Sequence, residues 1–186
     1  GSIRAEEIIE QSYRELADTI LEHNPGVDLG RVRAAFELAD RAHSGQKRKA
    51  GTPYVTHCVA AAQICAEMGL DEDSIVAALL HDCIEDTAIT HEDIARQFGA
   101  EVADIVEGVT KLTRVQFTSR EDEQMENLRK MLMAMAKDIR VILIKIADRL
   151  HNMRTMEYMV AQKQLEKSLE TMELYAPIAR RLGLQK

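Results

Sequence analysis

The chain has 186 residues, 46% apolar and 30% charged, with a formal net charge of −7; that balance supports one buried core and excludes disordered and collagen-like chains. Three Pro, nine Gly, 4% aromatic residues and no Trp make packed helices the expected architecture and argue against a β-sandwich. No apolar run reaches the roughly 20 residues of a membrane span, and no charged-then-apolar leader opens the chain.

In chain order, helices are expected over 4–22, ended by His23-Asn24-Pro25-Gly26, and over 28–43, ended by Ser44-Gly45. Residues 44–53 form a polar, basic loop. Tyr54 to Met68 reads as a third helix, stopped by Gly69. A fourth helix is expected over 74–85, apolar all round from Ile75 to Leu80 as in a centrally buried helix. Thr90 with Asp93 gives a capping-box start for a helix ending at Phe98-Gly99, followed by another over 101–112. A loop over 113–118 comes next, and Ser119 with Asp122 opens a long helix to about Lys137. The run Val141 to Ala147 is β-branched enough for a strand, but helical spacing continues beyond it and favours helix. A last helix is expected over 162–182, bent at Pro177. The expected fold is thus an all-α bundle of about nine helices. Gly1-Ser2 reads as the remnant of a removed tag, and 3–186 as a single cytoplasmic domain cut from a longer chain.

Cys58, Cys65 and Cys83 are odd in number, lack C-x-x-C spacing and sit among apolar residues, so they read as buried thiols rather than disulfide or zinc ligands. Charge is unevenly spread. Residues 31–49 carry six basic against two acidic side chains, whereas 66–107 carry twelve acidic side chains against Arg96 alone. General nucleic-acid binding needs a broad basic surface; one basic cluster in an acidic chain suits a small anion instead.

His81-Asp82 lies where the apolar run Ile75 to Leu80 meets polar sequence, and Glu85-Asp86 follows one helical turn on. On a continuous helix His81 stands above Glu85 and Asp82 above Asp86. Three acids and an imidazole at one helix end repel one another unless a cation sits among them. His57, just inside the helix after the basic loop, and Asp148, just after the run Val141 to Ala147, occupy similar helix-end positions. If these helices converge, His57, His81, Asp82 and Asp148 make a mixed N/O ligand set suited to Mn(II), Fe(II) or Zn(II) rather than Ca(II). Taken singly, each feature has an ordinary reading: a satisfied polar His, a solvated helix end, a solvated Lys47-Arg48-Lys49 loop. Their combination points to chemistry.

The spacing His57, His81-Asp82, Asp148 resembles the HD phosphohydrolase superfamily. Longer blocks resemble the hydrolase domain of Rel/SpoT proteins: Arg41-Ala42-His43, Arg48 to His57, Leu80 to Thr87, Gly108 to Leu112, Glu126 to Met131 and Ile146 to Thr155. The resemblance implies a compact helical domain that removes the 3′-pyrophosphate from guanosine tetra- and pentaphosphate with a bound Mn(II). It implies metal ligands His57, His81, Asp82 and Asp148, catalytic acids Glu85 and Asp86, and nucleotide contacts Arg48, Lys49, Asn152 and Thr155. It also implies synthetase and regulatory domains in the parent chain, and neither a membrane nor a nucleic-acid partner. Cys58 stands where the family often has Pro, and Met125 where it has a small residue. Two alternatives are an HD phosphohydrolase acting on another nucleotide and a catalytically silent alarmone sensor. The long blocks argue against the first, and the intact Glu85-Asp86 pair against the second.

Overall fold

The computed structural model describes residues 2–49, 51–114 and 121–155. Among them the regular elements are nine helices: α1 (Ser2–His23), α2 (Leu29–Ala42), α3 (Val55–Glu67), α4 (Glu72–Leu80), α5 (Cys83–Asp86), α6 (His91–Phe98), α7 (Ala100–Thr113), α8 (Glu121–Lys137) and α9 (Ile139–Arg154). The all-α expectation holds, and the only β pairing among these residues is an isolated antiparallel bridge, Lys47 to Pro53, closing the basic loop. The loop expected over 113–118 starts later, because Thr113 ends α7; the Ser119 cap and the helix over 162–182 fall outside the described residues. No helix among them is long and apolar enough to cross a membrane.

Helix starts follow side-chain chemistry. Asp28, Asp71 and Asp138 accept backbone N–H bonds at the first turns of α2, α4 and α9, and Thr90 with Asp93 forms the full capping box of α6. At the other ends the chain turns through Gly45, Gly69 and Gly99, all at positive φ, and Gly99 joins α6 to α7 with no further residue.

The apolar run in α4 decides the layout. Every residue from Ser74 to Leu80 is buried, so this helix needs neighbours on all sides; it packs against α2, α3, α7 and α9. Burying each Leu or Ile of such a run contributes roughly 1.5–3 kcal/mol. The β-branched run of α9 is buried throughout, from Val141 to Asp148. α7 and α9 approach closely at Gly108, where an added Cβ would lie 2.8 Å from Val141 Cγ2. Arg140 at the start of α9 bonds Asp138 on its own cap, Asp71 at the cap of α4 and Glu101 at the start of α7. One guanidinium therefore ties three helix starts together.

The helix expected over 74–85 is a correction. It begins earlier, after its Asp71 cap, and breaks at His81-Asp82 into α4 and α5. An uninterrupted helix would give the Ala78 carbonyl to the Asp82 N–H. Here that carbonyl accepts from His81 Nδ1 at 2.6 Å and from the His81 N–H at 3.4 Å. The imidazole thus takes the carbonyl that would continue the helix. The ladder resumes from Asp86 N to Asp82 O at 2.9 Å.

Candidate active site

His57 comes from the first turn of α3, His81 and Asp82 from the break between α4 and α5, and Asp148 from α9. Each offers one ligand atom within 4.8 Å of the others, and all four side chains are buried. His57 Nε2 lies 2.6 Å and His81 Nε2 3.4 Å from Asp148 Oδ1, and His81 Nε2 lies 2.9 Å from Asp82 Oδ2.

The donor set fits a divalent cation. A carbonyl can only accept, so His81 carries its proton on Nδ1 toward Ala78, and its Nε2 is directed to the cluster. That nitrogen is buried without a hydrogen-bond partner despite the two carboxylates beside it. Buried polar atoms are seldom left so, and a cation between the ring nitrogen and the carboxylates satisfies all of them. Nitrogen and oxygen donors with no thiolate match a borderline first-row metal.

The electrostatics agree. Burial would raise the Asp82 carboxyl, but His81 and the Tyr54 hydroxyl outweigh it and hold it below the usual carboxylate range. Burial acts likewise on Asp148, and Lys145 with the two imidazoles outweighs it and holds that carboxyl well below the usual carboxylate range. Both acids are therefore anionic. Burial lowers His57 despite Asp148 and keeps that ring neutral. Burial also lowers His81, yet without a metal the flanking carboxylates prevail and raise it; a proton and a metal compete for the same lone pair.

Around this cluster lies a cavity of about 450 Å³, lined among others by Arg48, Lys49, Glu85, Asp86, Asn152 and Thr155. All the expected site residues thus meet at one place. Arg48 Nη2 donates to Asn152 Oδ1 and to Thr155 Oγ1, each at 3.0 Å, so the basic loop is latched to the end of α9. Both acceptors are neutral, and the Arg48 charge stays available to an anion. Burial, Asp82 and Glu85 raise the Asp86 carboxyl, as suits a proton carrier. Glu85 faces Arg114 at 3.9 Å.

Sequence reasoning missed Tyr54, Lys145 and His151. The Tyr54 hydroxyl donates to Asp82 Oδ2 at 2.7 Å. Lys145 Nζ donates to Asp148 Oδ2 at 2.9 Å. His57 Nδ1 meets His151 Nδ1 at 2.6 Å, and burial, then His57 and Arg48, push the His151 ring down to about 3, so it is neutral. Their signal was spacing: Tyr54 lies three residues before His57, and Lys145 and His151 three before and three after Asp148.

Comparison with known proteins identifies the class. An HD domain family model matches residues 35–185, and the chain belongs to that family. Within it the resemblance to Rel/SpoT hydrolase domains runs over nearly the whole chain. The chain is 49% identical over 174 residues to the bifunctional (p)ppGpp synthase/hydrolase SpoT of Escherichia coli (strain K12), covering 94% of this chain and 24% of that protein. It is 53% identical over 156 residues to a GTP pyrophosphokinase of Streptomyces coelicolor, covering 84% of this chain and 18% of that protein. The chain therefore spans about a quarter or less of the length of these relatives. A solved structure described as a metazoan ortholog of SpoT that hydrolyses ppGpp superposes with a TM-score of 0.60 at 27% identity, covering 83% of this chain and 97% of that one.

Proposed function

We propose that this domain is a metal-dependent 3′-pyrophosphohydrolase of guanosine tetra- and pentaphosphate, converting guanosine 3′,5′-bis(diphosphate) to GDP and pyrophosphate in the stringent response. The observation that carries the reading is the convergence of His57, His81, Asp82 and Asp148 with Glu85, Asp86, Arg48 and Lys49 on one cavity. The relatives' names support the same substrate.

His57, His81, Asp82 and Asp148 would hold the metal, for which we propose Mn(II). A divalent ion there supplies Lewis-acid polarisation of a phosphoryl oxygen and a water made acidic enough to ionise near neutral pH. Glu85 and Asp86, on α5 beside the ligands, orient water and carry its proton to the departing 3′-oxygen. The raised Asp86 carboxyl suits that exchange. Arg48, held by Asn152 and Thr155, and Lys49 offset the repulsion between the acids and a substrate rich in phosphate charge. Asn152 and Thr155 then serve the nucleotide partly through Arg48.

The domain is proposed to occupy 3–186 of a longer protein that also carries synthetase and regulatory domains, a reading supported by a bifunctional synthase/hydrolase relative about four times as long; the protein is further proposed to be cytoplasmic, with no nucleic-acid or membrane partner. The experiment is a chromatographic assay of GDP and pyrophosphate formed from guanosine tetraphosphate. Turnover by wild type and its loss in Asp82→Asn are expected; a wild-type domain inert with Mn(II) would overturn the reading.

A further inference from the structure

Lys145 is a buried ammonium, 3% exposed, set in the apolar run of α9. Burying such a charge costs several kcal/mol unless it is paired and hydrogen-bonded, so its position needs a reason. It donates to Asp148 Oδ2 at 2.9 Å and to Thr113 Oγ1 at 3.1 Å. The Thr113 hydroxyl donates in turn to the Val109 carbonyl at 2.8 Å, leaving its oxygen free to accept. An ammonium has three donors. Two are used by these partners, and Lys145 lines the same cavity as Arg48, Glu85 and Asp86.

The charge count gives the reason. Two neutral imidazoles and two carboxylates just balance a divalent cation, so a filled centre alone has no net attraction for an anion. Lys145 adds a positive charge beside it and offsets part of the repulsion from Glu85 and Asp86 on the same cavity. The ammonium is fixed by Thr113 of α7 and Asp148 of α9 rather than by the basic loop, so it adds to the cavity a cation independent of Arg48 and Lys49.

We infer that Lys145 is a phosphate-contacting residue of the site, aimed by Asp148 and Thr113, whose remaining donor binds an oxygen of the diphosphate group that leaves as pyrophosphate. The inference rests on the proposed reaction for the identity of that group. An ion pair that served only to orient Asp148 would have no use for a place on the cavity wall.

The test uses the 186-residue chain, stripped of metal, with inorganic pyrophosphate as the probe. Mn(II) affinity is read by electron paramagnetic resonance and pyrophosphate affinity of the Mn(II)-loaded protein by calorimetry. Lys145→Met, similar in length but uncharged, also removes a support of Asp148 and should weaken Mn(II) by no more than the about 10- to 100-fold of such a loss; with Mn(II) saturating, it should weaken pyrophosphate by about a further ten- to a hundredfold, the range for a hydrogen bond to a charged group. Thr113→Val, which keeps the charge and removes one acceptor that aims it, should weaken pyrophosphate by about two- to tenfold with Mn(II) binding unchanged. Unchanged pyrophosphate affinity in Lys145→Met overturns the inference. So does a loss of Mn(II) affinity that accounts for the whole loss of pyrophosphate, because Lys145 would then act only through Asp148. If Lys145→Met loses the wild-type helical circular dichroism, Thr113→Val decides, and wild-type pyrophosphate affinity there overturns the inference. Failure of the substrate reading looks different: the wild-type domain would bind pyrophosphate through Lys145 yet leave guanosine tetraphosphate intact.

Discussion

His57 and His151 meet Nδ1 to Nδ1 at 2.6 Å, a distance that requires one proton between them. For His57 Nε2 to serve as a ligand it must be bare, so the proton lies on His57 Nδ1 and His151 accepts it. His151, neutral at physiological pH, thus fixes the tautomer of a proposed ligand from outside the cluster, as the Ala78 carbonyl does for His81.

From this pairing, His151→Phe should weaken Mn(II) binding by about 10- to 100-fold, the usual effect of removing such a support. Titration of the metal-stripped protein followed by electron paramagnetic resonance checks it. Wild-type affinity in the variant would show that His57 holds its tautomer without help.

The acids separate into two roles with different losses. Asp82→Asn should abolish metal binding and turnover together, since Asp82 is a proposed ligand anchored by Tyr54. Glu85→Gln should keep Mn(II) and nucleotide affinity and lose turnover by about 10²- to 10⁴-fold, as expected for a proton-transfer group. Calorimetry beside a turnover assay separates the two, and near-wild-type turnover by Glu85→Gln would remove Glu85 from the catalytic set.

The sequence exposed the proposed ligands because each stands at one end of an apolar helical run, and because helical spacing ties His81-Asp82 to Glu85-Asp86. The break at His81 was hidden: hydrophobic period does not report that an imidazole captures the Ala78 carbonyl. Lys145 and His151 were hidden for a related reason. Periodicity shows that their side chains share a face with Asp148, but their partners Thr113 and His57 are 32 and 94 residues away. The Arg48 latch to Asn152 and Thr155 spans 104 and 107 residues; the sequence marked all three residues without showing that they touch.

Arg140 makes stability depend on acid. Burial would raise Asp71, but bonds from Ser74 and Arg140 outweigh it; at Asp138 the Arg140 bond is the largest influence, and both carboxyls are held below their usual value. A carboxyl lowered on folding stabilises the fold above its unfolded value, about 3.9 for Asp, and that contribution is lost as pH falls through the lower folded value. Arg140→Gln should therefore melt below wild type at pH 7, with the gap narrowing as pH falls through the carboxylate range. Thermal melts across that range check this, and a gap independent of pH would contradict it.

The close approach of α7 and α9 is open to a packing test. Gly108→Ala places a Cβ against Val141, 4% exposed, and such overpacking costs about 1–3 kcal/mol. Val141→Ala in the same chain removes the obstructing methyls, so the double variant should be more stable than the sum of the two single losses. Denaturant unfolding of the four proteins gives the coupling, and strict additivity would show that the helices separate without cost.

The most direct test of the central claim is pyrophosphate release from guanosine tetraphosphate by the chelated domain, with and without Mn(II). Release that appears only on adding Mn(II), together with GDP in equal amount, is the predicted result. Nucleotide binding without release in the presence of Mn(II) would contradict it.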